Sequence, residues 1–123
     1  MKELTLSHRY DFFKDTLSHL GTFLLTDTQE EIEYRVFEEF DSDSTSFLHE
    51  RNLRALLEVG LITAEIYEAS LRLVAKFRAL EGTALWNPEA VVSAETWRKV
   101  LELGDAVREM VEAHESFHGR TDA

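Results

Sequence analysis

The residues with the most specific chemical pattern are two histidines near the carboxyl end of the sequence. His114-Glu115-Ser116-Phe117-His118 has the form H-E-x-x-H, which places the two imidazoles four residues apart on one face of a helix. Imidazoles at that spacing can bind Zn²⁺, and the glutamate between them can act as a general base toward a metal-bound water. The pattern is therefore a candidate for metal-dependent hydrolysis.

These five residues resemble the zinc-binding motif of metallopeptidases. The resemblance implies a third ligand well downstream, yet only five residues follow His118, and Asp122 is the one candidate ligand among them. The competing interpretation is a pair of histidines at a helix end, where positive charge interacts favourably with the helix dipole. We predict no metal site and no cofactor, and metal binding by His114 and His118 stays open.

A second oxygen-rich segment, Asp41-Ser42-Asp43-Ser44-Thr45, matches the first ligand positions of an EF-hand calcium loop. Such a loop also needs glycine at its sixth position and a bidentate glutamate at its twelfth. Ser46 and Asn52 occupy those two positions here. Short polar side chains hydrogen-bond nearby backbone groups, so residues 41–46 are instead predicted to form a turn and the cap of the following helix.

Arg108 and His114 form a third candidate pair. Their spacing resembles the Arg-x4–6-His signature of HEPN proteins, a family of small helical ribonucleases and toxin–antitoxin components. The resemblance implies RNA cleavage by a dimer with paired Arg and His. This chain departs from the family pattern at Glu109, where a polar residue such as Asn is usual. A HEPN-type ribonuclease is one alternative function.

Charge limits the classes of partner. The chain has 24 Asp and Glu against 13 Lys and Arg, which gives a net charge of −11. Contact with nucleic-acid phosphates needs clustered basic groups, and an anionic membrane opposes such an acidic protein. We therefore expect no direct nucleic acid binding and no membrane contact. The excess charge is concentrated in residues 27–43, the acidic segment, where eight carboxylates are opposed only by Arg35.

The acidic segment is the predicted binding surface for a basic protein partner. Like charges at this density repel one another, and they can accelerate association with a partner of opposite charge. The residues predicted to contact the partner are Glu30, Glu31, Glu33, Tyr34, Glu38, Glu39, Asp41 and Asp43. The competing interpretation is a solvated helix face that only keeps the protein soluble. No catalytic residue is predicted.

The elements that would position these residues are predicted to be helices. Apolar residues recur at three- and four-residue intervals, separated by predicted helix caps at Asp27, Thr63 and Asn87 and by predicted helix ends at Gly60 and Gly82. Helices are predicted at 7–20, 27–40, 47–59, 63–80, a short stretch from 88, and 93–117. Residues 27–40 also contain an alternation of Ile32, Tyr34 and Val36, which leaves a strand as the alternative there. Trp86 is predicted to lie in a loop at one end of the bundle.

Together these elements predict an all-α fold, an irregular bundle of five to six helices. We assign residues 1–123 to a single helical domain with a frayed tail at about 119–123. Charged residues follow Met1 at once, where a signal peptide needs an apolar run, and no segment approaches the roughly 20 apolar residues of a membrane span. With no cysteine in the chain, we expect a cytoplasmic protein.

In size, acidity and absence of cysteine, the chain resembles small helical bacterial immunity proteins of contact-dependent and polymorphic toxin systems. The resemblance also rests on the stretch at 47–62, FLHERNLRALLEVGLI, which is flanked by acidic residues. It implies a cytoplasmic protein that performs no chemistry and neutralises one basic toxin, such as a nuclease, in a stoichiometric complex. A generic regulatory or adaptor domain is the other alternative to this function.

Overall fold

The structure, a computed structural model, describes residues 4–119, and for 118 and 119 the backbone only. Within this range the chain forms six helices and no strand: α1 (Leu6–Leu17), α2 (residues 29–47), α3 (Glu50–Glu58), α4 (Ala64–Arg78), α5 (Pro88–Ser93) and α6 (Glu95–Gly119). A short 3-10 turn, Thr22–Thr26, precedes α2. The predicted all-α bundle is confirmed. Residues 120–123 of the predicted tail lie outside the described range.

The helix predicted over the acidic segment is confirmed, and the strand alternative is wrong. α2 begins with α-helical Gln29–Ile32, widens into π-helical Glu33–Phe40 and ends with α-helical Asp41–Phe47. Its first turn is capped by Thr28, not by Asp27 as predicted. The Thr28 hydroxyl accepts a hydrogen bond from the Glu31 N–H at 3.1 Å, and the Glu31 carboxylate accepts one from the Thr28 N–H at 3.3 Å. This reciprocal pair is a capping box.

The turn predicted at residues 41–46 is wrong, because α2 continues through it. Arg78 of α4 forms an ion pair with the Asp41 carboxylate. Its Nη2 also donates to the Asp41 carbonyl oxygen at 2.6 Å and to Ser44 Oγ at 2.9 Å. These bonds occupy the polar groups that would otherwise favour a turn, and they stabilise a helix of low intrinsic propensity. With these residues in a helix, no EF-hand loop forms.

Three further predicted helix boundaries differ from those of the structure. α3 begins at Glu50 instead of Phe47, since the Nδ1 atom of His49 accepts the Arg51 N–H at 3.0 Å and caps the helix. α6 begins at Glu95 instead of Ser93, because Ser93 ends α5. α1 also ends three residues early, at Leu17.

The other predicted helix caps and helix ends are confirmed. Thr63 caps α4 by accepting the Ile66 N–H at 3.1 Å, and Asn87 caps α5 with Pro88 in its first turn. Gly60 and Gly82 have φ angles of 80° and 79°, the left-handed conformation that glycine adopts without strain after a helix.

The centre of the core is an aromatic cluster around the fully buried Trp97 of α6. The rings of Phe37, Phe77 and Trp86 lie at centroid distances of 6.0, 5.9 and 6.2 Å from it. The indole N–H of Trp97 donates to the Leu85 carbonyl oxygen at 2.7 Å. Trp86 lies in the predicted loop, and its ring packs on Phe37 and Phe77. The cluster therefore joins three helices, α2, α4 and α6, and the loop that precedes α5.

α6 approaches the segment after α1 closely enough to require glycine. A Cβ atom added at Gly104 would lie 2.4 Å from the Leu20 carbonyl oxygen. That oxygen is a backbone atom, so it cannot move aside as a flexible side chain would. Sequence reasoning missed this contact, because a glycine inside a helical pattern carries no local signal of its neighbour.

No helix within residues 4–119 combines the length and apolar character needed to cross a membrane.

Replacing Gly104 with alanine should destabilise the protein, although alanine is the better helix former. We expect Gly104→Ala to lower the free energy of unfolding by about 1–3 kcal/mol, the usual cost of overpacking, against a propensity gain of about 1 kcal/mol. Urea unfolding measures the change. The matched control is Ala113→Gly at an exposed position of α6, which should lose about 1 kcal/mol from propensity alone. An unchanged or more stable Gly104→Ala variant would contradict the close approach.

Candidate functional site

The predicted contact residues of α2 differ in exposure and in ion pairing. The residues that are exposed are Glu30, Glu31, Glu33, Tyr34 and Glu38, and those that are partly buried are Glu39, Asp41 and Asp43. The Asp41 side chain is 32% exposed, and its carboxylate pairs with Arg78. Within residues 4–119, no Lys or Arg forms an ion pair with the other carboxylates of this set.

Tyr34 lies among the outward carboxylates. It is 53% exposed, one of the large apolar side chains that the described residues leave in solvent. Hydrogen bonding to the Glu39 carboxylate and the negative charge of Glu39 raise the pKa of the Tyr34 hydroxyl, and the charge of Glu38 adds to the effect. The charge of Arg35 opposes this shift but is the smaller effect, so the phenol stays neutral at physiological pH.

α1 and the turn that follows it contribute two residues to this surface that sequence reasoning missed, Asp15 and His19. His19 lines a groove of about 350 Å³ with Glu30, Glu31, Tyr34 and Arg35. Its Nε2 lies 3.7 Å from the carboxylate of Asp15, and its Nδ1 is buried without a hydrogen-bond partner among the described residues. Neither residue carried a sequence signal, because the packing of α1 against α2 brings them there.

Asp43 connects the α1 and α2 contributions. Partial burial raises the pKa of its carboxyl group, and the negative charges of Glu39 and Asp15 raise it further, while His19 opposes the shift. These interactions, together with the groove and the contacts of Tyr34, define one surface. The acidic face consists of Asp15, His19, Glu30, Glu31, Tyr34, Glu38, Glu39 and Asp43. Glu33 is exposed on the same helix.

Arg35, the basic residue beside the acidic face, forms an ion pair with a carboxylate of the acidic segment. Arg35 Nε lies 3.7 Å from the Asp27 carboxylate, and its guanidinium lies 5.4 Å from the centroid of the Phe23 ring. Within residues 4–119, no Lys or Arg nitrogen lies within ion-pair distance of Glu30 or Glu38. These carboxylates thus keep their charge available to a partner.

The H-E-x-x-H residues are engaged in packing contacts. His114 Nε2 lies 3.0 Å from the Gly60 carbonyl oxygen. The Glu115 carboxylate accepts hydrogen bonds from the Tyr10 hydroxyl and the Lys14 ammonium, each at 2.7 Å. The side chain of His118 lies outside the described residues. Among the side chains that are described, no group of three or more His, Asp or Glu is arranged to hold a metal ion.

The contacts of Glu115 perturb two protonation equilibria. Partial burial tends to raise the pKa of the Glu115 carboxyl group, but the hydrogen bonds from Lys14 and Tyr10 outweigh it and the pKa lies below its usual value. Burial, followed by the hydrogen bond to Glu115, raises the pKa of Tyr10. A carboxylate stabilised in its charged form links α6 to α1 and is poorly suited to accept a proton as a base.

Arg108 and His114, the HEPN-like pair, contact different parts of the chain. Arg108 pairs with Asp105 on the same helix, and its guanidinium lies 5.4 Å from the centroid of Phe23 in the 3-10 turn. The carboxylate of Asp105 also accepts the Thr22 hydroxyl at 2.6 Å. His114 lies at the turn between α3 and α4, against Gly60. Arg108 therefore holds the segment after α1 against α6.

Comparison of the chain with models of protein families, with curated proteins and with solved structures gave no match. Its function is therefore argued from its own residues.

The ion pair between Glu115 and Lys14 should make a pH-dependent contribution to stability. Because the folded-state pKa of Glu115 is lowered, its contribution is present at neutral pH and is lost as the pH falls through that value. We expect Glu115→Gln to reduce the free energy of unfolding at pH 7 by about 0.2–1 kcal/mol, the range for exposed pairs.

Urea unfolding of both proteins from pH 7 to pH 3 tests this expectation. The difference between wild type and Glu115→Gln should shrink below the ordinary carboxyl pKa of 4.5. Glu112→Gln, an exposed neighbour on the same helix, is the control and should show little difference at any pH. A gap between wild type and Glu115→Gln that grows in acid would contradict the assigned direction of the pKa shift.

Proposed function

We propose that this protein is a non-enzymatic, stoichiometric inhibitor of the toxin–immunity kind, which binds a basic protein through the acidic face. A nuclease toxin is the kind of partner that fits, because such enzymes grip nucleic acid with basic surfaces. The observation that carries the proposal is Tyr34, a half-exposed aromatic ring that lies beside the carboxylates of Glu38 and Glu39. It combines an apolar anchor with an electrostatic field on one surface.

The charge arrangement favours a binding role over simple solubility. Carboxylates that face one another lower stability through repulsion. At Asp43, burial is the main cause of the raised pKa, and the charges of Glu39 and Asp15 raise it further. A dispersed distribution would keep the protein soluble without that cost. Concentrated charge of one sign, by contrast, can increase the association rate with an oppositely charged partner by about 10–10³-fold.

Tyr34 supplies the other half of a protein interface. Tyrosine is enriched among the residues that contribute most to binding, because its ring buries a large apolar area at a small entropic cost. Its hydroxyl can still hydrogen-bond at the edge of an interface. The surrounding carboxylates would form the polar rim, where charge governs the rate of encounter more than the final affinity.

The first experiment is recovery of the partner. The tagged protein is used to capture proteins from its native cells at low and at high salt, and the retained proteins are identified by mass spectrometry. The proposal requires one basic protein bound in a 1:1 ratio, which the purified protein then inhibits. An isolated partner that is acidic, or whose activity is unchanged in the complex, would contradict it.

Once the partner is identified, charge-reversal variants test whether the acidic face accelerates its association. We expect Glu30→Lys with Glu38→Lys to slow association at least about tenfold at low ionic strength, with the effect shrinking as salt screens the field. The matched control reverses Glu102 and Glu109, exposed residues of α6, which gives the same change in net charge. Stopped-flow fluorescence measures both rates. Equal slowing in the two double variants would assign the effect to net charge and not to the acidic face.

Removal of the Tyr34 ring tests the apolar anchor. Tyr34→Ala should weaken binding about 30-fold or more, mainly through faster dissociation, as truncation of an interface hot spot does. Its stability should hardly change, because the ring is half-exposed. Tyr34→Phe is the control, since it keeps the ring and should retain most of the affinity. If the partner dissociates from Tyr34→Ala as slowly as from the wild type, the interface lies elsewhere on the protein.

A further inference from the structure

A second surface collects positive charge in this acidic protein. Arg9 of α1 meets His49 and Arg51 at the start of α3, and these three residues line two neighbouring grooves of about 570 and 600 Å³. Asn52 and Phe47 lie in the first groove, and the lining of the second includes Glu50, Arg54 and Glu58. We call Arg9, His49 and Arg51 the basic ridge. It shares no residue with the acidic face.

Arg9 is held in place by a buried amide. Asn52 is 6% exposed, and its Oδ1 accepts a hydrogen bond from Arg9 Nε at 2.7 Å. The Nδ2 of the same amide donates to the Phe47 carbonyl oxygen at 2.9 Å. A guanidinium has five N–H donors, so the bond to Asn52 leaves those of the two terminal nitrogens. Arg9 therefore presents a fork of donors whose orientation is already set.

Among the described residues, no carboxylate oxygen lies within ion-pair distance of Arg9 or Arg51. Glu50 beside them is engaged elsewhere: its carboxylate accepts Arg54 Nη2 at 2.7 Å and the Tyr67 hydroxyl at 3.3 Å. What sets Arg9 and Arg51 apart from the other arginines is that both line the same two grooves, where an external anion can meet both charges.

His49 adds a donor of defined tautomer. Because its Nδ1 accepts the Arg51 N–H at 3.0 Å, the neutral ring carries its proton on Nε2. His49 is exposed, so this N–H is available to a ligand. The positive end of the α3 dipole lies at the same point and favours negative charge.

We infer that the basic ridge binds a small phosphate-bearing ligand. Two guanidinium forks and an imidazole N–H match the oxygens of a phosphate group, for which arginine has the right bidentate geometry. Groove volumes of about 570 and 600 Å³ are those of small-molecule sites. Phe47, whose ring stacks on Phe12 at 4.8 Å, gives the first groove an aromatic wall for the organic part of a phosphate ester.

The surrounding charge restricts the ligand to a short one. Glu58 lies in the second groove, and the acidic residues of the chain outnumber the basic ones. A long polyanion such as RNA would extend from the ridge into repulsive surroundings, whereas a mononucleotide or free phosphate would contact the ridge alone. This inference does not depend on the proposed inhibitor role.

Isothermal titration calorimetry of the full chain with inorganic phosphate and with adenosine 5′-monophosphate, at constant ionic strength, tests the site. We expect both to bind, and Arg51→Gln to weaken binding about tenfold or more, since it removes charge-assisted hydrogen bonds. Arg51 is exposed, so this variant should fold. Arg98→Gln, an exposed arginine of α6, is the control and should bind like the wild type.

Comparison of the two ligands distinguishes a phosphate ester from free phosphate as the ligand of the basic ridge. Tighter binding of the mononucleotide, with no binding of adenosine, would support a phosphate ester whose organic part contacts Phe47. Equal affinities would support phosphate itself as the ligand. No heat from either ligand, or equal weakening in Arg51→Gln and Arg98→Gln, would overturn the site. Tighter binding of a single-stranded RNA than of the mononucleotide would overturn its restriction to small ligands.

Discussion

The burial of Trp97 is the interaction on which the arrangement of the helices depends. Its indole is fully enclosed, and its one polar atom donates to the Leu85 carbonyl oxygen, so an aromatic side chain of this size is buried without an unsatisfied donor. Phe37 of α2 packs against it. Because α2 must turn this face inward, with Val36 and Phe40 fully buried, Tyr34 is left in solvent. The orientation of the acidic face thus follows from the packing of the core.

Ion pairs within the chain determine which charges are left for partners. Four partly buried pairs join elements or brace one helix: Asp41 with Arg78, Asp105 with Arg108, Asp27 with Arg35, and Glu115 with Lys14. They use four of the 13 Lys and Arg of the chain. Among the described residues that have no ion pair, several carboxylates lie around Tyr34, whereas Arg9 and Arg51 lie together near the start of α3. Two surfaces of opposite sign result.

Predictions from local sequence patterns were correct where the stabilising interactions join neighbouring residues. The caps at Thr63 and Asn87 and the left-handed glycine at Gly60 involve atoms within a few residues of one another, and these were confirmed. The turn predicted at 41–46 was wrong because Arg78 lies 37 residues from Asp41 along the chain. Rules based on neighbouring residues cannot predict a contact with an arginine of another helix. The ion pair of Asp41 with Arg78 escaped sequence reasoning for the same reason, and the role of Asp41 as a contact residue stays a prediction.

The sequence by itself determined the all-α class, most of the helices and the concentration of acid in one segment, because periodicity, capping and composition are properties of neighbouring residues. Only the tertiary structure decided which carboxylates face solvent, that Asp15 and His19 join them, and that Asn52 orients Arg9. Each of these depends on two helices meeting at a particular angle and distance. Gly104 shows the same limit in the core: its close approach to Leu20 exists only once α6 is packed against the segment after α1.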